Sequence, residues 1–251
     1  MKKLLYISIS FFLLSCNVEP TAEQIIDKSI AHYGGEAIYN SEISFRFRDI
    51  EYKMRYQKET FQLERSYKDS TGNFKDLLTN TSFVRSVNDT IVELTDEWSN
   101  KYSNSINSVI YFFRIPFHLN EKAVNKKMIG ESHIKGASCF KIKVWFNEDG
   151  GGEDFSDVYI YWVNKLNYNI DYLAYSFETN GGGKRFREMV NARRINGLLV
   201  VDYINYKPKN NNILIENFDK YFQQNGMDKL SEIINENIRV KYLEEDKSNA
   251  Y

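Results

Sequence analysis

Residues 160–206 read IYWVNKLNYNIDYLAYSFETNGGGKRFREMVNARRINGLLVVDYINY, and the turns within them set the architecture. Asn196-Gly197 is a strong short hairpin signal, because a type I′ loop needs positive φ at both central residues. It is expected to pair Ile195 with Leu198, Asn191 with Asp202 and Arg187 with Tyr206. A glycine turn centred on Gly181-Gly182 pairs Glu178 with Arg185, Ser176 with Arg187 and Tyr172 with Asn191. A turn over Lys165 to Asn169 pairs Trp162 with Tyr172 and Ile160 with Ala174. These pairings are conditional, since a one-residue slip exchanges every face. In this register one face carries Leu173, Phe177, Phe186, Val190, Val201 and Tyr203. The other carries Ile160, Trp162, Tyr172, Ala174, Met189 and Ile204, together with Arg187, Asn191, Arg193 and Asp202. A sheet that is apolar on both faces must be covered on both or must line a cavity.

The same alternation runs upstream. Ile43, Phe45 and Phe47 alternate with Ser44, Arg46 and Arg48, and Tyr52, Met54 and Tyr56 with Lys53 and Arg55, which indicates antiparallel strands in a meander. Before them, Thr21-Ala22-Glu23-Gln24 is a capping box opening a helix with Ile25, Ile26, Ser29, Ile30 and Tyr33 on one side, stopped by Gly34-Gly35. A second helix is expected over 100–114, with Tyr102, Ile106, Val109, Ile110 and Phe113 on one face and Pro116 beyond it. That stripe reads as core rather than as a cofactor pocket. Strands resume near Met128 and run to about Tyr206; a short helix over 216–224 and a last strand over about 230–243 complete the chain. The fold class is therefore α+β: a strongly curved antiparallel sheet, an open half-barrel, with an N-terminal and an inserted helix packed on it.

Of 251 residues, 42% are hydrophobic and 15% aromatic, with 33 Lys+Arg against 34 Asp+Glu. Collagen-like, coiled-coil and wholly disordered chains are excluded. The even charge argues against nucleic acid as a partner, because phosphate binding leaves a domain clearly basic. Two Cys and three His give little material for a disulfide scaffold or a zinc centre.

Lys2 and Lys3 precede the apolar run 4–14, which meets Ser15 and Cys16. A basic start, a short apolar segment and a small residue make a secretory signal. Eleven helical residues span roughly 16 Å, about half of a hydrocarbon core, too little for a transmembrane helix. Leu13-Leu14-Ser15-Cys16 resembles the bacterial lipobox, which implies cleavage before Cys16 and its acylation; an ordinary signal peptide is the alternative. Several acyl chains hold a soluble domain on a membrane. The organisation is then residues 1–15 signal peptide, 16–20 tether, 21–243 one half-barrel domain and 244–251 a polar tail. No dense acidic run follows Cys16, which favours the periplasmic side of the outer membrane over the cell surface.

The order of elements resembles the LolA/LppX-type half-barrel, whose members carry or sense lipids and lipoproteins. The stretches Gly150-Gly151-Gly152-Glu153-Asp154, Tyr161-Trp162, Asp171-Tyr172-Leu173-Ala174-Tyr175, Gly181 to Arg187 and Asp202 to Tyr206 are similar to an uncharacterised lipoprotein family of Bacteroidetes-type bacteria. It is a domain of unknown function, and the resemblance implies no catalytic residue.

The mixed face suits an amphipathic ligand, with apolar tails on Trp162 and Met189 and an anionic head near Arg187 or Arg193. Tyr172, Asn191 and Asp202 complete the candidate binding set. The alternative is that Asp202, Asn191 and the arginines form a satisfied polar network beneath a second layer. The acidic loop 148–157 could clasp Lys184, Arg185 and Arg187 or hold calcium, although solvated loop charge explains it as well. Cys139 reads as a buried strand residue rather than a nucleophile. There is no HExxH, GxSxG or nucleotide-binding glycine motif, so no cofactor is implied and an enzyme is disfavoured. Three functions stay open: a membrane-anchored binder of a lipid or amphiphile, a structural subunit of an envelope complex, and a hydrolase with an unadvertised carboxylate.

Overall fold

A computed structural model describes residues 19–57, 60–149, 155–178 and 181–243. The signal segment, Cys16 and the tail 244–251 lie outside the described residues. Helix α1 (Ala22–Tyr33) opens on the expected capping box: Gln24 N–H donates to Thr21 Oγ1 at 3.2 Å, and Thr21 N–H to Gln24 Oε1 at 3.0 Å. Gly34 ends it at φ 135°, and a Cβ there would lie 2.4 Å from a Leu198 methyl, so glycine is needed twice over. Helix α2 (Asp96–Phe113) begins four residues before the expected start. Thr95 caps it by accepting from Trp98 N–H, and Asp96 and Glu97 complement the helix dipole in the first turn.

Strands β1 (Asn40–Phe47), β2 (Ile50–Gln57), β3 (Thr60–Asp69), β4 (Gly72–Thr79), β5 (Phe83–Val87) and β6 (Thr90–Val92) form an antiparallel meander. A second meander runs through β7 (Val124–Ile134), β8 (Ala137–Phe146), β9 (Val158–Asn164), β10 (Ile170–Phe177), β11 (Gly183–Ile195), β12 (Leu198–Pro208) and β13 (Met227–Ile233). Strand β14 (Glu236–Tyr242) returns to pair with β1, so each sheet has seven strands. The single last strand expected over 230–243 is thus two strands in different sheets. The chain changes sheet at Ile234-Asn235, where Asn235 N–H donates to buried Asp202 at 2.9 Å. Both sheets are open, and the architecture is the α+β half-barrel expected.

The register departs from expectation at two places. Trp162 does pair with Tyr172, Ile160 with Ala174 and Ile195 with Leu198. The glycine turn, however, is centred earlier in the chain than Gly181-Gly182: Phe177 pairs with Gly183, and Tyr172 with Glu188 rather than Asn191. In addition, β11 bulges between Val190 and Arg193, with Asn191 at φ 51°. Two residues there face one, so Asp202 pairs with Val190, and Arg187 with Asn205 instead of Tyr206. The three-residue shift is odd, so it reverses the faces of β11. Arg187 and Met189 join Leu173, while Phe186 joins Trp162 and Tyr172.

The main core lies between the sheets. It unites Ile25 and Ile26 of α1, Ile106 and Ile110 of α2, Phe45, Met54 and Leu63 of the first sheet and Tyr161 and Leu173 of the second. A separate core fills the opposite face of the second sheet, where Ile160, Trp162, Tyr172 and Phe186 meet Phe218 of α3 (Phe218–Gln223). The sheet that is apolar on both faces is therefore covered on both. Lys141 pairs with Asp219 of α3 at 3.0 Å, and Ser132 donates to the same carboxylate, fastening the helix down.

Two buried polar features stand out. Asp76, fully buried, takes Arg65 Nε at 2.9 Å and Arg85 Nε at 2.6 Å; Arg65 also donates to Ser105 and Arg85 lies 3.4 Å from the Tyr102 ring centre, both on α2. His118 is 2% exposed, neither ring nitrogen has a partner, and its ring lies 4.0 Å from that of Tyr111. Burial, helped by nearby Arg114, holds its pKa well below the usual histidine value. As pH falls below about 6.5 the unfolded chain takes up a proton that the folded chain refuses, so stability falls with acid. This group contributes a loss approaching 1.4 kcal/mol per pH unit below that point. Urea titrations at pH 7 and 5.5 should show the loss, and His118→Phe should remove about 1 kcal/mol of it.

Candidate functional site

The inner face of the second sheet is aromatic because its pleat alternates. Tyr159 and Tyr161 on β9, Tyr175 on β10 and Tyr203 on β12 point to the side of the main core, and Tyr159 stacks on Tyr175 at 5.5 Å. The last turns of α2 lie opposite, presenting Val109, Tyr111, Phe112 and Phe113. Between them is a cavity of about 450 Å³, within the range of small-molecule sites. Phe47, Phe146 and Phe177 extend its apolar wall, and exposed Asn107 and Ser108 of α2 stand at its mouth.

Arg187 is the buried cation of the cavity, whose lining also holds the buried carboxylate Asp157. The arginine's register beside Leu173 and Asn205 aims it inward, and it is 7% exposed. The guanidinium lies 3.6 Å from the Phe112 ring centre, and Nη2 donates to the Tyr175 hydroxyl at 2.9 Å. Among the described residues it forms no ion pair, and its Nε–H has no acceptor. The Tyr203 hydroxyl and the Oδ1 of Asn205, both on residues lining the cavity, also lack a partner among the described residues. Burial raises the pKa of Tyr203 and Tyr111, so both remain neutral donors over the whole physiological range. A buried charge and several buried polar atoms without partners are costly, and natural folds rarely keep them unless something else satisfies them.

Of the seven binding residues expected from the sequence, Arg187 lines this cavity. Met189 is on the same face but deeper, 3.8 Å from the Tyr33 hydroxyl in the main core. Trp162 and Tyr172 lie on the opposite face under α3, away from the cavity. Asn191, Arg193 and Asp202 form the alternative, a polar network: Arg193 pairs with Asp202 at 3.0 Å and donates to the Asn235 carbonyl, and Asn191 donates to Asp202 at 3.2 Å. The α2 stripe was read as plain core, yet Val109 and Phe113 also wall the cavity. Tyr203 was placed on the face of Leu173 but read as ordinary core, and Tyr175, which alternates onto that same face, was not singled out.

Lys184 donates to the carbonyls of Asn211 and Ile213. Residues 150–154 of that loop lie outside the described residues, and with them the calcium alternative. Among the described residues no group of three His, Cys, Asp or Glu could hold a metal, and no helix is long and apolar enough to cross a membrane. Cys139 is buried in the second core, its thiol pushed up to about 12 mainly by burial and secondarily by Asp171.

Two open antiparallel sheets closing on inserted helices define the half-barrel class. The same fold is found in a DUF1329 family protein from Desulfovibrio piger, 10% identical, with a TM-score of 0.52 over 87% of this chain and 92% of that one. A LolA superfamily protein from Nitrosomonas europaea is 12% identical over 90% and 96% of the two chains, at a TM-score of 0.49. The lipoprotein LppX of Mycobacterium tuberculosis, 12% identical, aligns over 63% and 87% with a TM-score of 0.28. No curated protein matches the sequence. Residues 2–235 match DUF6503, a family of unknown function, and the chain belongs to that family.

Proposed function

We propose that this chain is a lipid-anchored protein of a Bacteroidetes-type cell envelope that binds a lipid or other amphipathic molecule between its second sheet and α2. The observation that carries this reading is the cavity of about 450 Å³, aromatic on most sides, with one buried arginine that forms no ion pair among the described residues. Cys16, in its lipobox-like setting, is the acylation site, and the absence of an acidic run behind it favours the periplasmic face of the outer membrane. Apolar walls take the chain of an amphiphile, and the few polar groups fix its orientation.

The test is native mass spectrometry of the protein released from its own membrane, with lipid analysis of an organic extract. A stoichiometric amphiphile is the expected result. A protein that emerges empty and takes up no fluorescent fatty acid overturns the reading.

A further inference from the structure

We infer that the ligand is a single-chain amphiphile with an anionic oxygen headgroup, seated with its charged end inward on Arg187 and its chain along the phenylalanines. This rests on the binding reading above and goes beyond it by assigning the headgroup, its orientation and the number of chains.

Four observations carry it. Arg187 is nine-tenths buried, lacks an ion pair among the described residues and keeps an unmatched Nε–H, so a donor fork stands ready for a carboxylate or phosphate oxygen. The Tyr203 hydroxyl, also buried and unpartnered, adds a neutral donor within electrostatic reach of the same guanidinium. Around the cavity Arg48, Arg185 and Arg187 face one carboxylate, Asp157, so the local field favours anions. The volume of about 450 Å³ is of the size that one chain and its head fill.

The inward head follows from where the charge sits. Among the lining residues Arg187 is the buried cation, while Arg48, Asn107 and Ser108 are exposed to water, where the attraction of a cation for an anion is screened. Phe112 covers one face of the guanidinium at 3.6 Å and excludes water from it, which strengthens an ionic hydrogen bond.

The experiment uses the full chain in maltoside detergent, with bound ligand counted by native mass spectrometry. Dodecanoate, dodecyl phosphate and dodecanol share one chain and differ in the head. Either anion is expected to bind about tenfold tighter than the alcohol, and the better of the two identifies the head as carboxylate or phosphate. Arg187→Gln should erase that preference, bringing the affinity for either anion down to that for dodecanol. Tyr203→Phe, which removes one hydroxyl and no volume, should cut anion binding about threefold and keeps the test decisive if the arginine variant does not fold. Equal binding of dodecanol and the anions, or a preference that survives both substitutions, overturns the anionic assignment while leaving amphiphile binding intact. Failure of all three to bind overturns both.

Discussion

Asp76→Ala is expected to destabilise the protein by about 3–5 kcal/mol, since it leaves two buried guanidiniums facing each other without a counter-charge. Arg65 and Arg85 are 6% and 5% exposed, and the strands that carry them pair directly with β4 on either side of Asp76, so neither can swing out to water cheaply. The arginines also hold α2: one through the Ser105 hydroxyl, the other through the face of Tyr102. Losing the carboxylate should therefore loosen the helix that walls the cavity as well as lower the urea midpoint. Adding Arg65→Met and Arg85→Met to Asp76→Ala should recover most of the loss, because an apolar triad of similar size escapes the desolvation cost. A loss below about 1 kcal/mol for the single variant would mean that the guanidiniums find water after all.

Trp162→Ala is expected to cost about 3–5 kcal/mol and to leave amphiphile binding untouched under native conditions. The indole is fully buried, packs edge-on against Phe186 at 5.6 Å and donates to Ser132. It sits on the opposite side of β9 from Tyr159 and Tyr161, so its removal opens a void in the second core and not in the ligand cavity. Urea unfolding and the ligand count from mass spectrometry separate the two effects. Loss of ligand at full folding would show that the cores communicate through the sheet.

That contrast marks how far the sequence could be read. Both long helices, the antiparallel meander and the two-sided apolar sheet were legible because periodicity records them residue by residue. The capping box at Thr21 and the Asn196-Gly197 hairpin were legible because each is a local device with fixed geometry. The binding set was not, because its strands were set in the wrong register. The glycine turn is centred earlier than Gly181-Gly182 and shifts β11 by three residues against β10, which turns its faces over, while the bulge at Asn191 shifts β12 by one more and returns its faces to those expected. Arg187 survived as a candidate because it was named for its charge, independently of its face. Trp162 was chosen for its size, and size equally suits a core. The crossing of the chain from β13 to β14 at Ile234-Asn235 left no mark, because Asn235 is one polar residue among many until Asp202 is seen beneath it.

The outer margins of the two sheets have a consequence of their own. Strand β6 is only three residues long, all of them exposed, and β7, the long margin, carries exposed Lys127 and a break in its ladder between Met128 and Gly130. Unpaired strand margins invite a second molecule to add itself by main-chain hydrogen bonds. Brevity in β6, and charge with a kink in β7, weaken that template at these two of the four outer strands, the others being β14 and β13. Copies of the chain that meet by these two margins are thereby kept from joining edge to edge into fibres.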